Sequence, residues 1–187
     1  MSKEFSKDDS KRIRKLEDSL KSLKDGTKTY FSITKLTSIK SLCNNQETLR
    51  KYCIFLSAQV LKQPGKLPIR ATKKRVTLIF RELIFDPINT EEAQELLRTL
   101  EMSQNEIRKI GWNSVRIIKS NEILILEYLL KALLSPEGVA QTYAYDATKI
   151  FVETYNSKYG TGLIVDSIPM FEKVIRFWQK YERDACK

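Results

Sequence analysis

Lysine and arginine form the pattern in this chain with the clearest chemical use, which is the binding of an anion. One group lies in a stretch of sequence that contains no acid before Glu82, and it comprises Lys62, Lys66, Arg70, Lys73, Lys74, Arg75 and Arg81. A second group near the start of the chain comprises Lys11, Arg12, Arg14 and Lys15. Clustered cations gain free energy by releasing the counterions that condense on a polyanion. These residues are therefore the predicted binding site for a nucleic acid or another polyanion, and the alternative is a solvated surface that only keeps the protein soluble.

The positive charge is concentrated in the first half of the chain. Residues 1–85 contain 20 Lys and Arg against 8 Asp and Glu, whereas residues 86–187 contain 13 against 15. The net charge of +10 is thus an N-terminal property. We predict a basic helical region over 1–85 and a helical core region over 86–187, with a single domain over 8–184 as the alternative.

The composition excludes several kinds of catalytic site. The chain has no histidine, so it contains no Ser-His-Asp or Cys-His arrangement and no zinc site that needs imidazole. Cys43, Cys53 and Cys186 are too few for a four-cysteine zinc site. No glycine-rich phosphate loop and no calcium loop is present. We predict no catalytic residue, no metal and no cofactor.

Carboxylates are the remaining candidates for catalysis without histidine. Glu91, Glu92 and Glu95 fall in the first turn or so of a predicted helix, where the unpaired N–H groups favour acids. Two alternatives are open for Glu127: burial, or the favoured alternative of a solvated edge or an ion pair with Lys131 at i+4. A histidine-free enzyme stays open as a third, less favoured function.

Apolar residues recur at helical spacing along most of the chain, which predicts an all-α bundle of about seven or eight helices, in one body or in two small lobes. The segments with helical spacing, some of which can join into one helix, run from Asp8 or Asp9 to Gly26 and then over 31–43, 46–62, 70–85, 89–100, 103–118, 122–134, 135–160 and 167 onward. The segment 122–134 is apolar around most of its circumference, so it is the predicted centre of the core. The C-terminal aromatic residues are predicted to build the core or a groove for a partner helix.

An odd number of cysteines among apolar neighbours favours a reducing compartment, and we predict a cytoplasmic protein. The sequence begins without the apolar stretch of a signal peptide, and its longest apolar run ends at Glu127. We therefore expect no transmembrane segment. The sequence does not specify an oligomeric state.

Three functions remain open from the sequence. The first is a non-enzymatic protein whose basic half binds RNA or DNA, and the second is an adaptor or assembly factor that recognises an acidic protein or a membrane surface. The third is the histidine-free enzyme. The first two depend on one electrostatic condition, namely that the N-terminal cations lie on a common face.

Overall fold

The computed structural model describes residues 6–26, 36–62, 76–80, 90–109, 114–136, 138–154 and 168–185. These residues contain helices and turns but no strand. The helices are α1 (Lys7–Lys24), α2 (Ser38–Leu42), α3 (Gln46–Leu61), α4 (Thr90–Lys109), α5 (Ser114–Leu134), α6 (Val139–Thr154) and α7 (Ile168–Ala185). Residues 76–80 are also helical. The predicted all-α bundle of seven or eight helices is confirmed.

Helix α1 begins at Lys7, earlier than the predicted start at Asp8 or Asp9, because Ser6 caps it. The Ser6 hydroxyl accepts a hydrogen bond from the Asp9 N–H, and the Asp9 carboxylate accepts one from the Ser6 N–H. At the other end Gly26 has φ of +68°, a conformation in which glycine has no Cβ penalty. The buried residues Ile13, Leu16 and Leu23 form the apolar stripe of the helix.

Helix α5 lies at the centre of the core, as predicted. Its buried residues include Ile123, Leu126, Leu129 and Leu130. Helices α3, α4 and α6 all pack against it. In turn, α6 packs against α2, α3 and α7, while α1 packs against α2 and α7. Helices α1 and α4 therefore lie at opposite edges of this packing arrangement.

Helix α7 is anchored to α3 by aromatic rings. The centroids of Tyr52 and Trp178 are 5.0 Å apart, and those of Phe55 and Phe177 are 4.6 Å apart. Trp178 is completely buried, which confirms that C-terminal aromatic residues build the core. This anchoring fixes which face of α7 points to solvent.

A hydrogen bond joins α3 to α6 inside the core. The Thr148 hydroxyl donates to the Ala144 carbonyl oxygen and lies 2.7 Å from the Tyr52 hydroxyl oxygen. Since a threonine hydroxyl has a single proton, Tyr52 is the donor in the second bond. Cys43 and Cys53 are buried core thiols, as predicted, and burial raises the pKa of both.

The prediction of two short helices over 89–100 and 103–118 is wrong. Helix α4 continues without a break from Thr90 to Lys109, and α5 begins at Ser114. The Ser103 hydroxyl donates to the Thr99 carbonyl oxygen within the helix instead of capping a new one. The buried residues Leu96, Leu100 and Ile107 continue a single stripe through this point. None of the described helices is long and apolar enough to cross a membrane.

Candidate functional site

The predicted binding residues divide into those that the structure describes and those that it does not. Lys66, Arg70, Lys73, Lys74, Arg75 and Arg81 lie outside the described residues. Of the others, Lys62 follows α3 and is exposed. Lys11, Arg12, Arg14 and Lys15 all belong to α1.

The exposed surface of α1 is made entirely of charged side chains. Its exposed residues are Lys7, Asp8, Lys11, Arg14, Lys15, Asp18, Lys21 and Lys24. Lys11 lies 3.4 Å from Asp8, but both side chains are about 70 % exposed, so water and salt weaken the pair. Arg12 is half-buried and contacts Asp9 at 2.7 Å, so it points away from this surface. The exposed side of α1 therefore has six cations against two acids.

A second row of cations lies on α7, and the sequence analysis did not identify it. Lys173, Arg176, Lys180 and Arg183 recur at helical spacing on the side opposite the buried Phe171 and Trp178. The net charge of residues 86–187 did not indicate these four cations, because the acids of α4 in the same half of the chain offset them. The spacing of 3, 4 and 3 residues was the signal that could have revealed the row.

Three polar contacts join α1 to α7 and fix how the helices lie. Ser10 donates to Glu182, Gln179 donates to Glu17 at 2.5 Å, and Lys24 pairs with Glu172. Residue numbers rise along α1 as they fall along α7, so the helices are antiparallel. The contacting residues of α1 are seven apart, as in the flanking positions of a coiled coil.

These contacts place both rows of cations on the same side of the protein. At 100° per residue, the contacts of α1 with α7 lie about a quarter turn from its buried stripe and about a quarter turn from its exposed cations. The same holds on α7. The two helices thus lie side by side on the core with their cations facing solvent. We call this surface the basic face: Lys7, Lys11, Arg14, Lys15 and Lys21 of α1 with Lys173, Arg176, Lys180 and Arg183 of α7.

An open groove of about 510 Å³ lies where the two rows adjoin. Lys21, Lys24 and Arg176 line it, together with Glu172. The Lys24 ammonium pairs with Oε1 of the Glu172 carboxylate. A guanidinium nitrogen of Arg176 lies 3.6 Å from Oε2 of the same carboxylate. The hydrogen bond from Lys24, together with the charges of Lys24 and Arg176, lowers the pKa of Glu172.

The groove also contains groups that oppose an anion. Glu17 and Asp25 line it, so its charged residues balance to zero. The Glu17 carboxylate accepts from Gln179, and Leu20 and Ile175 provide apolar surface between the two helices.

The carboxylates considered for catalysis form a different arrangement between α4 and α5. Glu127 is paired with Lys131 at 2.6 Å, as predicted, but its carboxylate is buried and does not lie at a solvated edge. Glu101 of α4 lies 3.3 Å from the same ammonium. Burial opposes the charge of Lys131, but the hydrogen bond and charge of Glu127 and the contact with Glu101 outweigh it and raise the pKa. Among the residues that the structure describes, no group of three or more cysteines and carboxylates is arranged to hold a metal ion.

Comparison of the chain with known protein families, with curated proteins and with solved structures finds no match.

Proposed function

We propose that this protein binds the backbone of RNA or DNA through the basic face, without catalysing a reaction. The observation on which the proposal depends is the row of exposed cations on α1, which is extended by a parallel row on α7. Lys7 and Lys21 are 14 residues apart, which corresponds to about 21 Å along the helix axis. A straight row of cations of that length suits a linear polyanion with regularly spaced phosphates.

The surface chemistry favours a nucleic acid over the two other polyanions. Helices that lie on a membrane insert an apolar side, but the apolar stripe of α1 is buried in the core and every exposed residue of α1 is charged. Protein interfaces rely on central aromatic or apolar anchors, and the exposed side of α1 has none. A backbone contact needs only the cations.

The test is a titration of a fluorescent 20-nucleotide single-stranded RNA, and of a DNA of the same sequence, at several salt concentrations. We expect binding at about 50 mM salt that weakens steeply by about 200 mM, because each phosphate contact releases counterions. Replacing Arg14 and Lys15 by glutamine should lower the slope of log K against log salt by about 1.4, the value for two single-strand contacts. Replacing Lys180 and Arg183 by glutamine should have a similar effect.

The matched control is the replacement of Arg98 and Lys109 by glutamine. Both are exposed on α4, so this variant has the same net charge as the other two but an intact basic face. It should bind like the wild type. Equal weakening in all three variants would show that net charge acts without a defined face and would overturn the site. Absence of RNA and DNA binding at 50 mM salt, or binding only to polyglutamate or to anionic vesicles, would overturn the function.

A further inference from the structure

The groove between α1 and α7 combines three cations with a carboxylate that already bridges two of them. Lys24 and Arg176 come from different helices and approach different oxygens of Glu172. Lys21 lines the same groove and forms no ion pair with a described acid. Cations from two helices are therefore already arranged around one bidentate anionic group.

The bridge is weak enough to be exchanged. The side chains of Lys24 and Arg176 are 48 % and 75 % exposed, so solvent screens both contacts. Arg176 uses one nitrogen at the long distance of 3.6 Å, which leaves most of its five N–H donors available. An incoming anion would lose little by displacing Glu172.

The arrangement selects among anions. A carboxylate ligand would replace Glu172 like for like and gain nothing, since Glu172 is held in place by the chain. A phosphate monoester has up to two negative charges and three acceptor oxygens, and a guanidinium can bind it with two parallel hydrogen bonds. Such a group has an oxygen left for Lys21, which lines the same groove, besides the two cations that Glu172 holds.

We propose that this groove binds a phosphate monoester through Lys21, Lys24 and Arg176, with Glu172 as the carboxylate that gives way. The inference rests on the proposed function, since the end phosphate of a strand lying on the basic face is the ligand it assigns. A free phosphate has the same chemistry. Glu17 and Asp25 reduce the attraction, so the end group adds to the affinity of the strand and does not replace the backbone contacts.

The experiment compares three 15-nucleotide RNAs of one sequence, with a 5′-phosphate, a 3′-phosphate or hydroxyl groups at both ends. We expect one phosphorylated end to bind about fivefold more tightly than the hydroxyl form, which is the scale of two exposed ion pairs. Arg176→Gln should abolish this ratio. Arg183→Gln, on the same helix but outside the groove, should weaken all three RNAs and leave the ratio unchanged.

Glu172→Gln provides the opposite test, because it should increase the ratio by releasing Lys24 and Arg176. Its matched control is Glu47→Gln, which removes an exposed glutamate paired with Lys51 on α3 and should leave the ratio unchanged. Equal effects of the two variants would overturn the site. Salt-dependent binding with no preference for an end phosphate would also overturn it while the proposed function stands. If no RNA binds but inorganic phosphate shifts the amide NMR signals of the groove in wild type, and more so in Glu172→Gln, the groove stands and the proposed function fails.

Discussion

The helices at the two edges of the bundle, α1 and α4, are both amphipathic, but their exposed sides carry opposite charge. The exposed residues of α1 include six cations and two acids, whereas those of α4 include Arg98 and Lys109 against four glutamates. The net charge of each half of the sequence did not predict the charge of either surface, because α7, which belongs to the second half, places its cations next to α1. Charge along the sequence and charge on a surface are therefore different quantities in this protein.

The polar clusters at the two edges show a second contrast. On α1 and α7 one acid, Glu172, is shared by two cations, and on α4 and α5 one cation, Lys131, is shared by two acids. The Glu172 cluster is open to solvent, while the Glu127 carboxylate has a side-chain exposure of only 7 %. The same residue types thus form an exchangeable contact at one edge and a structural one at the other. Burial decides which.

The largest expected effects are losses of stability when buried side chains at the two edges of the bundle are truncated. Trp178→Ala should lower the free energy of unfolding by about 3–5 kcal/mol, because it removes a completely buried indole between α3 and α7. Leu96→Ala, at a buried position of α4, should lower the free energy of unfolding by about 2–5 kcal/mol. Urea unfolding measures both losses. At temperatures where both variants are folded, RNA binding should weaken only for Trp178→Ala, and weakening of equal size in Leu96→Ala would show that α4 also supports the binding surface.

An intermediate effect is expected when the buried cluster is broken. Lys131→Ala leaves Glu127 in the core without its cation, and we expect a loss of about 2 kcal/mol. This value is below the 3–5 kcal/mol of a fully buried pair because Lys131 is 28 % exposed. The double variant Glu127→Met with Lys131→Met should recover most of that stability, as uncharged replacements of buried pairs do. Urea unfolding tests both, and a double variant as unstable as Lys131→Ala would contradict the explanation.

The smallest effect is expected at the exposed cluster. Lys24→Ala should change the free energy of unfolding by only about 0.2–1 kcal/mol, since the lost pair is exposed. The pKa of Glu172 is lower in the folded state than in the unfolded state. The ionised carboxylate therefore stabilises the folded protein at neutral pH, and this stabilisation disappears as the pH falls through the folded pKa. The difference between wild type and Lys24→Ala should therefore narrow below about pH 4, near the ordinary glutamate value. A carbon-detected NMR titration should show the Glu172 pKa rising in the variant, and an unchanged pKa would show that Lys24 does not set it.

Several elements followed directly from local sequence. The glycine at Gly26 and the apolar spacing of Ile13, Leu16 and Leu23 were sufficient to predict α1 apart from its start, where Ser6 and not Asp8 or Asp9 is the cap. The almost wholly apolar run of α5 was sufficient to place it at the centre. The break expected between Leu100 and Ser103 failed because a serine that matches a capping pattern can also bond back into its own helix. Local patterns could not distinguish these two uses of a hydroxyl.

The candidate site was only partly predictable. The sequence identified Lys11, Arg14 and Lys15 as cations for an anion, but it did not distinguish them from Arg12, which turns toward Asp9. The sequence also did not predict that α1 packs against the distant α7. The row of cations from Lys173 to Arg183 and the ion pairs of Glu172 were therefore missed.

The sequence by itself determined that the chain is helical and which side of most helices is apolar, because helical periodicity acts over a few neighbouring residues. Only the tertiary structure decided which charged sides meet and which are buried. Those properties depend on packing between residues more than 150 positions apart, such as Ser10 with Glu182. Solvent exposure, which sets the strength and the exchangeability of an ion pair, exists only once that packing has formed.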